Sequence, residues 1–395
     1  DAAVTAGTSR IRAFFDITFP LLTPAIAATG ALAFVLTLEA FEIPALLGRP
    51  AGIYTLSVQV FSYLDTGSSS NYAAASALSL IFVVAVLVLV LVQQRLGSMR
   101  DYRTLGGKAA PMSSRNAGAA APWLTLAVIV FVVIAIVLPV AQIVVGSFQP
   151  FFGVFENWTV RHYDDVLSSS RAVGAITNTL IVAAGGGAIA MVASFAIIYA
   201  IQRFPQRKIS GYLRLGTWVP VSAPGIVLSL ALLWTYLYTP GIREMFGSIS
   251  LMMLALVVAA IPLASRSLEG VMAQIKPELE EAALVSGSPP WRAIWDVTWR
   301  LCIPALVSGW LLVSMMISGR VDIPLILQSK DTELVTTQTF AQVRNGAASE
   351  AAALYVVYLV ILLAIFVAVR LGFYFGIERR ARKRLTSQVQ RGTKS

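Results

Sequence analysis

Residues 278–300 read ELEEAALVSGSPPWRAIWDVTWR, and residues 1–20 read DAAVTAGTSRIRAFFDITFP. In an alignment without gaps Asp1 falls on Glu281 and Gly7 falls on Gly287. The same register continues further along the chain, where EIP at 42–44 matches DIP at 322–324. A register kept over so long a stretch predicts an internal repeat, with one copy of the same device in each half of the chain.

The local chemistry of the second copy predicts a short helix that ends at a glycine. Pro277 suits the first turn of a helix, and the glutamates that follow it favour the positive N-terminal end. Gly287 suits the left-handed residue that ends such a helix. Ser288 and Pro289 then predict the start of a second helix, which returns toward the membrane. We expect a short, rigid helix outside the bilayer that can dock in a cleft of a partner protein.

The pattern resembles the EAA loop of ABC-importer permeases, in which Glu-Ala-Ala is followed after three residues by Gly. The first copy keeps the family's final proline at Pro20, whereas the second ends in Trp299-Arg300. The resemblance implies docking of a cytoplasmic ATP-binding subunit on each loop, hence two such subunits, and an extracytoplasmic substrate-binding protein. The docking residues that it implies are Asp1, Ala2, Ala3, Gly7, Glu281, Ala282, Ala283 and Gly287.

The energy source is expected on another chain. The stretch most similar to a GxxxxGK[ST] phosphate loop is LGGKA at 105–109, which lacks the first glycine and the final serine or threonine. We therefore expect a transport subunit with no catalytic residues, no cofactor, no metal site and no nucleic-acid partner.

Composition predicts an all-α integral membrane protein. Hydrophobic residues make up 57% of the chain and charged residues 13%. A membrane helix needs about 20 apolar residues, and runs such as LSLIFVVAVLVLVLV show none of the polar stripes of a buried helix in a soluble protein. About eight spans are predicted, at 22–46, 73–94, 123–147, 174–200, 216–238, 249–268, 302–325 and 351–375.

The net charge is +10, and the distribution of the basic residues indicates how the chain is oriented in the membrane. Basic residues flank the spans and cluster in 95–115, 203–214 and 379–384, so these segments are predicted to face the cytoplasm. An even number of spans separates the loop copies, which places both on that face. The halves are thus predicted to be a parallel tandem repeat, unlike the inverted repeats of many secondary transporters, in a bacterial inner (plasma) membrane with the lipid bilayer as a partner.

The repeat also predicts domain boundaries. Residues 1–94 read as the C-terminal part of a first permease half, 95–121 as a cytoplasmic linker, 122–376 as a complete second half with its loop at 275–300, and 377–395 as a basic cytoplasmic tail. Because Asp1 lies inside the first motif, we expect the chain to be truncated at its N-terminus.

Candidates for the translocation pathway come from charges and helix breaks near the span ends. Glu42 and Asp322 are related by the repeat and are placed near the outer boundary, which favours a cationic substrate. Arg320 is expected to pair with Asp322 or Glu39. A break in one span is predicted at three small or cyclic residues, for which a hinge and close helix packing both remain open: Pro220, Pro224 and Gly225.

Nearly the whole chain is similar to the two-domain permeases of the ferric-iron uptake branch, on stretches such as VPVSAPGIVLSLALLW at 219–234 and IKPELEEAALVSG at 275–287. The resemblance implies ferric iron as the substrate, with thiamine, polyamines and phosphonates as alternatives within the class. Two readings from other classes stay open: an ion-coupled secondary transporter, which would work without an ATPase, and a membrane scaffold.

Overall fold

The computed structural model describes residues 7–9, 12, 14–65, 70–98 and 121–392. Its helices are α1 Phe19–Glu39, α2 Leu56–Leu64, α3 Tyr72–Ser98, α4 Ala121–Ser147, α5 Arg161–Ser168, α6 Ser170–Arg203, α7 Lys208–Ser222, α8 Gly225–Tyr238, α9 Ile249–Ala273, α10 Glu278–Val285, α11 Pro290–Gly319, α12 Asp322–Leu327, α13 Val335–Arg344 and α14 Ala348–Gly392. Within these residues no strand occurs. The all-α fold class is confirmed.

Six helices of the described part are long and apolar enough to cross a membrane: α3, α4, α6, α9, α11 and α14. Helix α1, with 21 residues, occupies the first predicted span. The prediction of a span over 216–238 is wrong in its limits, because the chain breaks between α7 and α8, and α8 has only 14 residues. Ala223 there is extended (φ −103°, ψ 122°), as expected for a residue that precedes proline.

The predicted limits of two further spans are also too long. Helix α1 ends at Glu39 and α11 ends at Gly319, so Glu42 and Asp322 do not lie on those helices. Asp322 instead opens α12, and its carboxylate Oδ1 accepts the backbone N–H of Ile323 at 2.9 Å. A carboxylate at a helix N-terminus is favourable there, which helps to separate α12 from α11.

The same succession of elements follows each copy of the loop. Each has a left-handed glycine, a π-helical turn, a long helix, a short helical turn and two further helices. The glycines are Gly7 (φ +90°) and Gly287 (φ +87°), and the π-helical turns are Phe14–Thr18 and Ile294–Trp299. The parallel orientation of the halves and the boundaries at 95–121 and 377–395 stay predictions. Helix α14 continues through the predicted tail as far as Gly392.

The contacts divide the chain into two units. The first comprises residues 1–127 and 182–331, and in it α9 packs along α11, α7 packs on α9, and α8 packs on α12. The second comprises residues 128–181 and 332–395, and in it α14 packs on α4, α5 and α13. Its core includes Val166, Ala353, Leu354 and Tyr358, all buried.

Candidate functional site

The second loop is a compact helix held between a proline and a glycine. Pro277 lies at the N-cap of α10, and Gly287 follows its C-terminus with φ +87°. Both features agree with the sequence prediction. The next helix begins at Pro290, with Pro289 as its N-cap, one residue later than predicted. The chain then runs as one 30-residue helix, α11, into the membrane-spanning region.

A buried carboxylate anchors α10 to the helices on either side. Glu280 is 9% exposed and forms an ion pair with Arg203 at the end of α6, with 3.0 Å between Oε1 and Nη2. Tyr199, on the preceding turn of α6, donates a hydrogen bond to Glu280 Oε2 at 3.0 Å. Thr298 of α11 donates its hydroxyl hydrogen to Glu280 Oε1. These contacts join α10 directly to both α6 and α11.

The opposite face of α10 is open. Glu281, Ala282 and Gly287 are exposed, and Ala283 is half-buried. Apolar side chains stand out beside them, with Val285 89% exposed and Trp291 68% exposed. Of the first copy, Gly7 is described and exposed, whereas Asp1, Ala2 and Ala3 lie outside the described residues.

Most of the predicted pathway residues come together at the ends of α1, α8 and α11. Arg320 and Asp322 form a bidentate pair, with Nε to Oδ1 at 3.0 Å and Nη2 to Oδ2 at 2.8 Å. Glu39 is close enough to interact electrostatically with both, and its buried Oε1 has no hydrogen-bond partner among the described residues. Glu42 is exposed and also interacts electrostatically with Arg320. Arg320 is thus surrounded by three carboxylates, which we call the Arg320 cluster.

The N-terminus of α8 closes against this cluster. A Cβ atom added to Gly225 would collide with the carboxylate of Asp322, and it would lie 3.0 Å from Arg320 Nη2. Only glycine fits there. Pro224 is the buried N-cap residue of α8, whereas Pro220 lies inside α7 and interrupts nothing. Within the described residues no group of three or more His, Cys, Asp or Glu side chains could hold a metal ion.

The family of binding-protein-dependent transport system inner membrane components matches residues 1–101 and 193–383. The chain belongs to this family. Each matched range contains one copy of the loop. The chain therefore belongs with the multi-pass inner-membrane permeases.

Individual relatives match this permease over different lengths. A ferric transport system permease protein of Actinobacillus pleuropneumoniae is 24% identical over 92% of the chain and 53% of its own length. The chain spans about half the length of that relative. A putrescine transport system permease protein of Escherichia coli is 22% identical over 64% of the chain and 90% of its own length. A bacterial ABC transporter involved in the import of alginate has a solved chain with TM-score 0.48 and 17% identity, over 63% of this chain and 94% of that one.

The permease loop shows what the sequence pattern missed. Glu281 is the residue that matches the motif, but Glu280 makes the buried contacts. The helical period gives no signal for this, because Leu284, four residues after Glu280, is itself exposed. The partners Tyr199 and Arg203 are some eighty residues away in sequence. Nothing in the motif pointed to them.

Proposed function

We propose that this permease is the translocating subunit of an ATP-driven, binding-protein-dependent importer, and that α10 is the surface on which a cytoplasmic ATP-binding subunit docks. The single observation that carries the proposal is the two-faced character of α10. Its inner face is fixed through Glu280, and its outer face presents Val285 and nearby Trp291 to solvent. Exposed apolar patches with a polar rim are typical of protein contacts, and α10 is predicted to lie outside the membrane.

The repeat supports a pair of ATP-binding subunits, one on each loop. One subunit would contact Glu281, Ala282, Ala283 and Gly287 of the second loop. The other subunit would contact Asp1, Ala2, Ala3 and Gly7 of the first loop. Membership of the family also implies that an extracytoplasmic binding protein delivers the substrate.

Docking can be tested by co-purification with the ATP-binding subunit. Val285→Glu places a charge at the centre of the proposed contact, and we expect the subunit to be lost from the complex. Val160→Glu, at an exposed valine in the segment predicted to face outward, is the matched control. Retention of the subunit by Val285→Glu at the level of the control would place docking elsewhere.

Ferric iron is the substrate that the relatives favour. The similarity that covers nearly the whole chain is to a ferric transport permease, whereas the putrescine permease matches a shorter part of it. Uptake of radioactive ferric iron and of putrescine into proteoliposomes, with ATP and the cognate binding protein, distinguishes the two. Uptake of putrescine without uptake of iron would identify the permease as part of a polyamine importer. Uptake driven by an ion gradient without the ATP-binding subunit would make it a secondary transporter.

We also propose that the Arg320 cluster lines the outer part of the pathway. Three carboxylates around one guanidinium leave a surplus of negative charge that attracts a cation. Glu42→Gln removes one exposed charge without unpairing Arg320, and we expect slower transport with the complex intact. Combined with Asp322→Asn the loss should be larger. Glu244→Gln, at another carboxylate of a segment predicted to face outward, serves as the control. Normal uptake in Glu42→Gln and in the double variant would show that the Arg320 cluster does not line the pathway.

A further inference from the structure

A cleft of about 220 Å³ lies between α6, α7 and α9, near the end of α9 that leads into the docking helix α10. Its floor is mainly apolar and includes the buried side chains of Ile198, Ile201 and Pro262, with one buried hydroxyl group, that of Ser265. Its rim is polar and includes Arg214, Thr217 and Arg266. An apolar floor below a rim of guanidinium and hydroxyl groups fits an amphipathic anion.

The charges of the rim favour an anion, although one carboxylate is present. Arg266 forms an ion pair with Glu269, at 3.2 Å between Nη1 and Oε2, and both are about half exposed. The backbone carbonyl of Glu269 accepts a hydrogen bond from Gln202 at 3.0 Å, which fixes this side of the cleft. Arg214 is exposed and has no carboxylate within ion-pair distance among the described residues. The rim therefore carries one guanidinium whose charge is uncompensated.

The position along the helices places this rim at the membrane boundary. Arg266 is the eighteenth residue of α9, so it lies about 26 Å from the start of that helix, close to the thickness of a hydrocarbon core of about 30 Å. On the outer face of α7, Ile209, Tyr212 and Leu215 flank Arg214 and are 59%, 72% and 64% exposed. Exposed apolar residues with a tyrosine among them are typical of a helix in the membrane interface.

We propose that this cleft binds the phosphate headgroup of an anionic phospholipid. Arg214 and Arg266 hold the phosphate, since a guanidinium donates two parallel hydrogen bonds to phosphate oxygens. The glycerol and the first acyl carbons lie against the apolar residues of α7 and the cleft. A free phosphate ion would use the guanidinium groups but would leave the apolar surfaces in water. The site is independent of the transported substrate.

Native mass spectrometry of the full chain, released from mixed micelles of phosphatidylglycerol and phosphatidylcholine, measures the bound lipid directly. We expect selective retention of phosphatidylglycerol. Arg214→Gln should weaken the apparent affinity at least about tenfold, because it removes a charge-assisted hydrogen bond to the phosphate. Lys208→Gln removes a charge from the same helix outside the cleft, and retention should stay at the wild-type level.

Three results would overturn the proposal: equal retention of the two lipids, unchanged affinity in Arg214→Gln, or displacement of the lipid by inorganic phosphate at a comparable concentration. The last would assign the site to a free anion. Arg214 is exposed, so its variant is expected to fold, which the thermal unfolding midpoint in phosphatidylcholine alone checks. Arg266→Gln is the second variant, and it should weaken retention in the same direction.

Discussion

At the scale of single residues, Glu280 fixes the docking helix. Its carboxylate accepts hydrogen bonds from Tyr199, Arg203 and Thr298, and the side chains of the ion pair are only 11% and 12% exposed. A buried charge is tolerated only when it is paired and hydrogen-bonded. Removing one partner leaves the other charge buried and unpaired.

We therefore predict that Glu280→Ala destabilises the protein by about 3 kcal/mol, and that it uncouples ATP hydrolysis from transport. Glu278→Ala, at an exposed position in the first turn of the same helix, should change neither quantity appreciably. Thermal unfolding and the number of substrates moved per ATP hydrolysed are the two measurements. Equal unfolding midpoints for the two variants would show that the buried pair does not hold the helix.

A second prediction concerns the backbone at Gly287. With φ +87° and no atom within 4 Å of an added Cβ, a side chain there meets no obstacle, so any cost comes from the backbone conformation alone. Gly287→Val should cost about 1 to 2 kcal/mol and weaken docking. Gly287→Asn should cost less, because asparagine tolerates the left-handed region.

Gly270 provides the control for this position. It also has open space around an added Cβ, but it lies inside α9 with negative φ, so Gly270→Ala should be neutral or slightly stabilising. If Gly287→Val and Gly270→Ala gave the same unfolding midpoint, the left-handed conformation would be irrelevant to the loop.

At this scale the sequence predicts backbone conformation and partners that are close in sequence, but not partners that are far apart in sequence. The left-handed Gly287 follows from a local pattern, because only glycine adopts that conformation freely. The pairing of Arg320 with Asp322 was accessible for the same reason, since the two residues are close in sequence. The contacts of Glu280 join α10 to α6, and no local rule selects partners at that separation.

At the scale of elements, breaks in helices depend on what surrounds them. The break before α8 occurs at Ala223 and Pro224, whereas Pro220 and Pro262 lie inside continuous helices. The sequence contains proline in all three places, and tertiary packing decides which one ends a helix. Gly186 lies inside the unbroken helix α6. A Cβ atom added there would lie 3.3 Å from Met253 and 3.4 Å from Ile317 on neighbouring helices. Close packing, not a break, explains that glycine.

The approach of α8 to the Arg320 cluster gives a prediction at this scale. Gly225→Ala places a methyl group against the carboxylate of Asp322, so either this carboxylate must leave its pair with Arg320 or α8 and α12 must move apart. We expect destabilisation of about 1 to 3 kcal/mol and a changed transport rate. Gly216→Ala, which adds a methyl group in open space on α7, should do neither.

The double variant Gly225→Ala with Asp322→Ala tests whether the collision is the cause. Because the carboxylate is then absent, the loss should be smaller than the sum of the two single losses. Strictly additive losses in thermal unfolding would mean that Gly225 acts through some other contact.

At the scale of the whole molecule, the repeat and the topology are predictions that rest on sequence patterns along the entire chain. Long apolar runs and the distribution of basic residues predict spans and sides of the membrane without knowledge of any contact. Two of the predicted span limits are wrong, because α1 and α11 end before the segments EIP and DIP, which the predicted spans included. Hydropathy measures how apolar a segment is and says little about where its helix stops.

The predicted topology requires both loops and the C-terminal segment to face the cytoplasm, and thiol labelling in intact cells tests it. Cys302 is buried in α11, and Cys302→Ser gives a background without cysteine. Ser168 is exposed at the end of α5, in a segment predicted to face outward, so Ser168→Cys should react with an impermeant maleimide. Ser113, in the predicted linker and outside the described residues, should not react as Ser113→Cys until the membrane is permeabilised. The second measurement controls for a thiol that is unreactive on either side. Labelling of Ser113→Cys from outside in intact cells would reverse the orientation, place α10 away from ATP, and remove the basis for docking of an ATP-binding subunit on it.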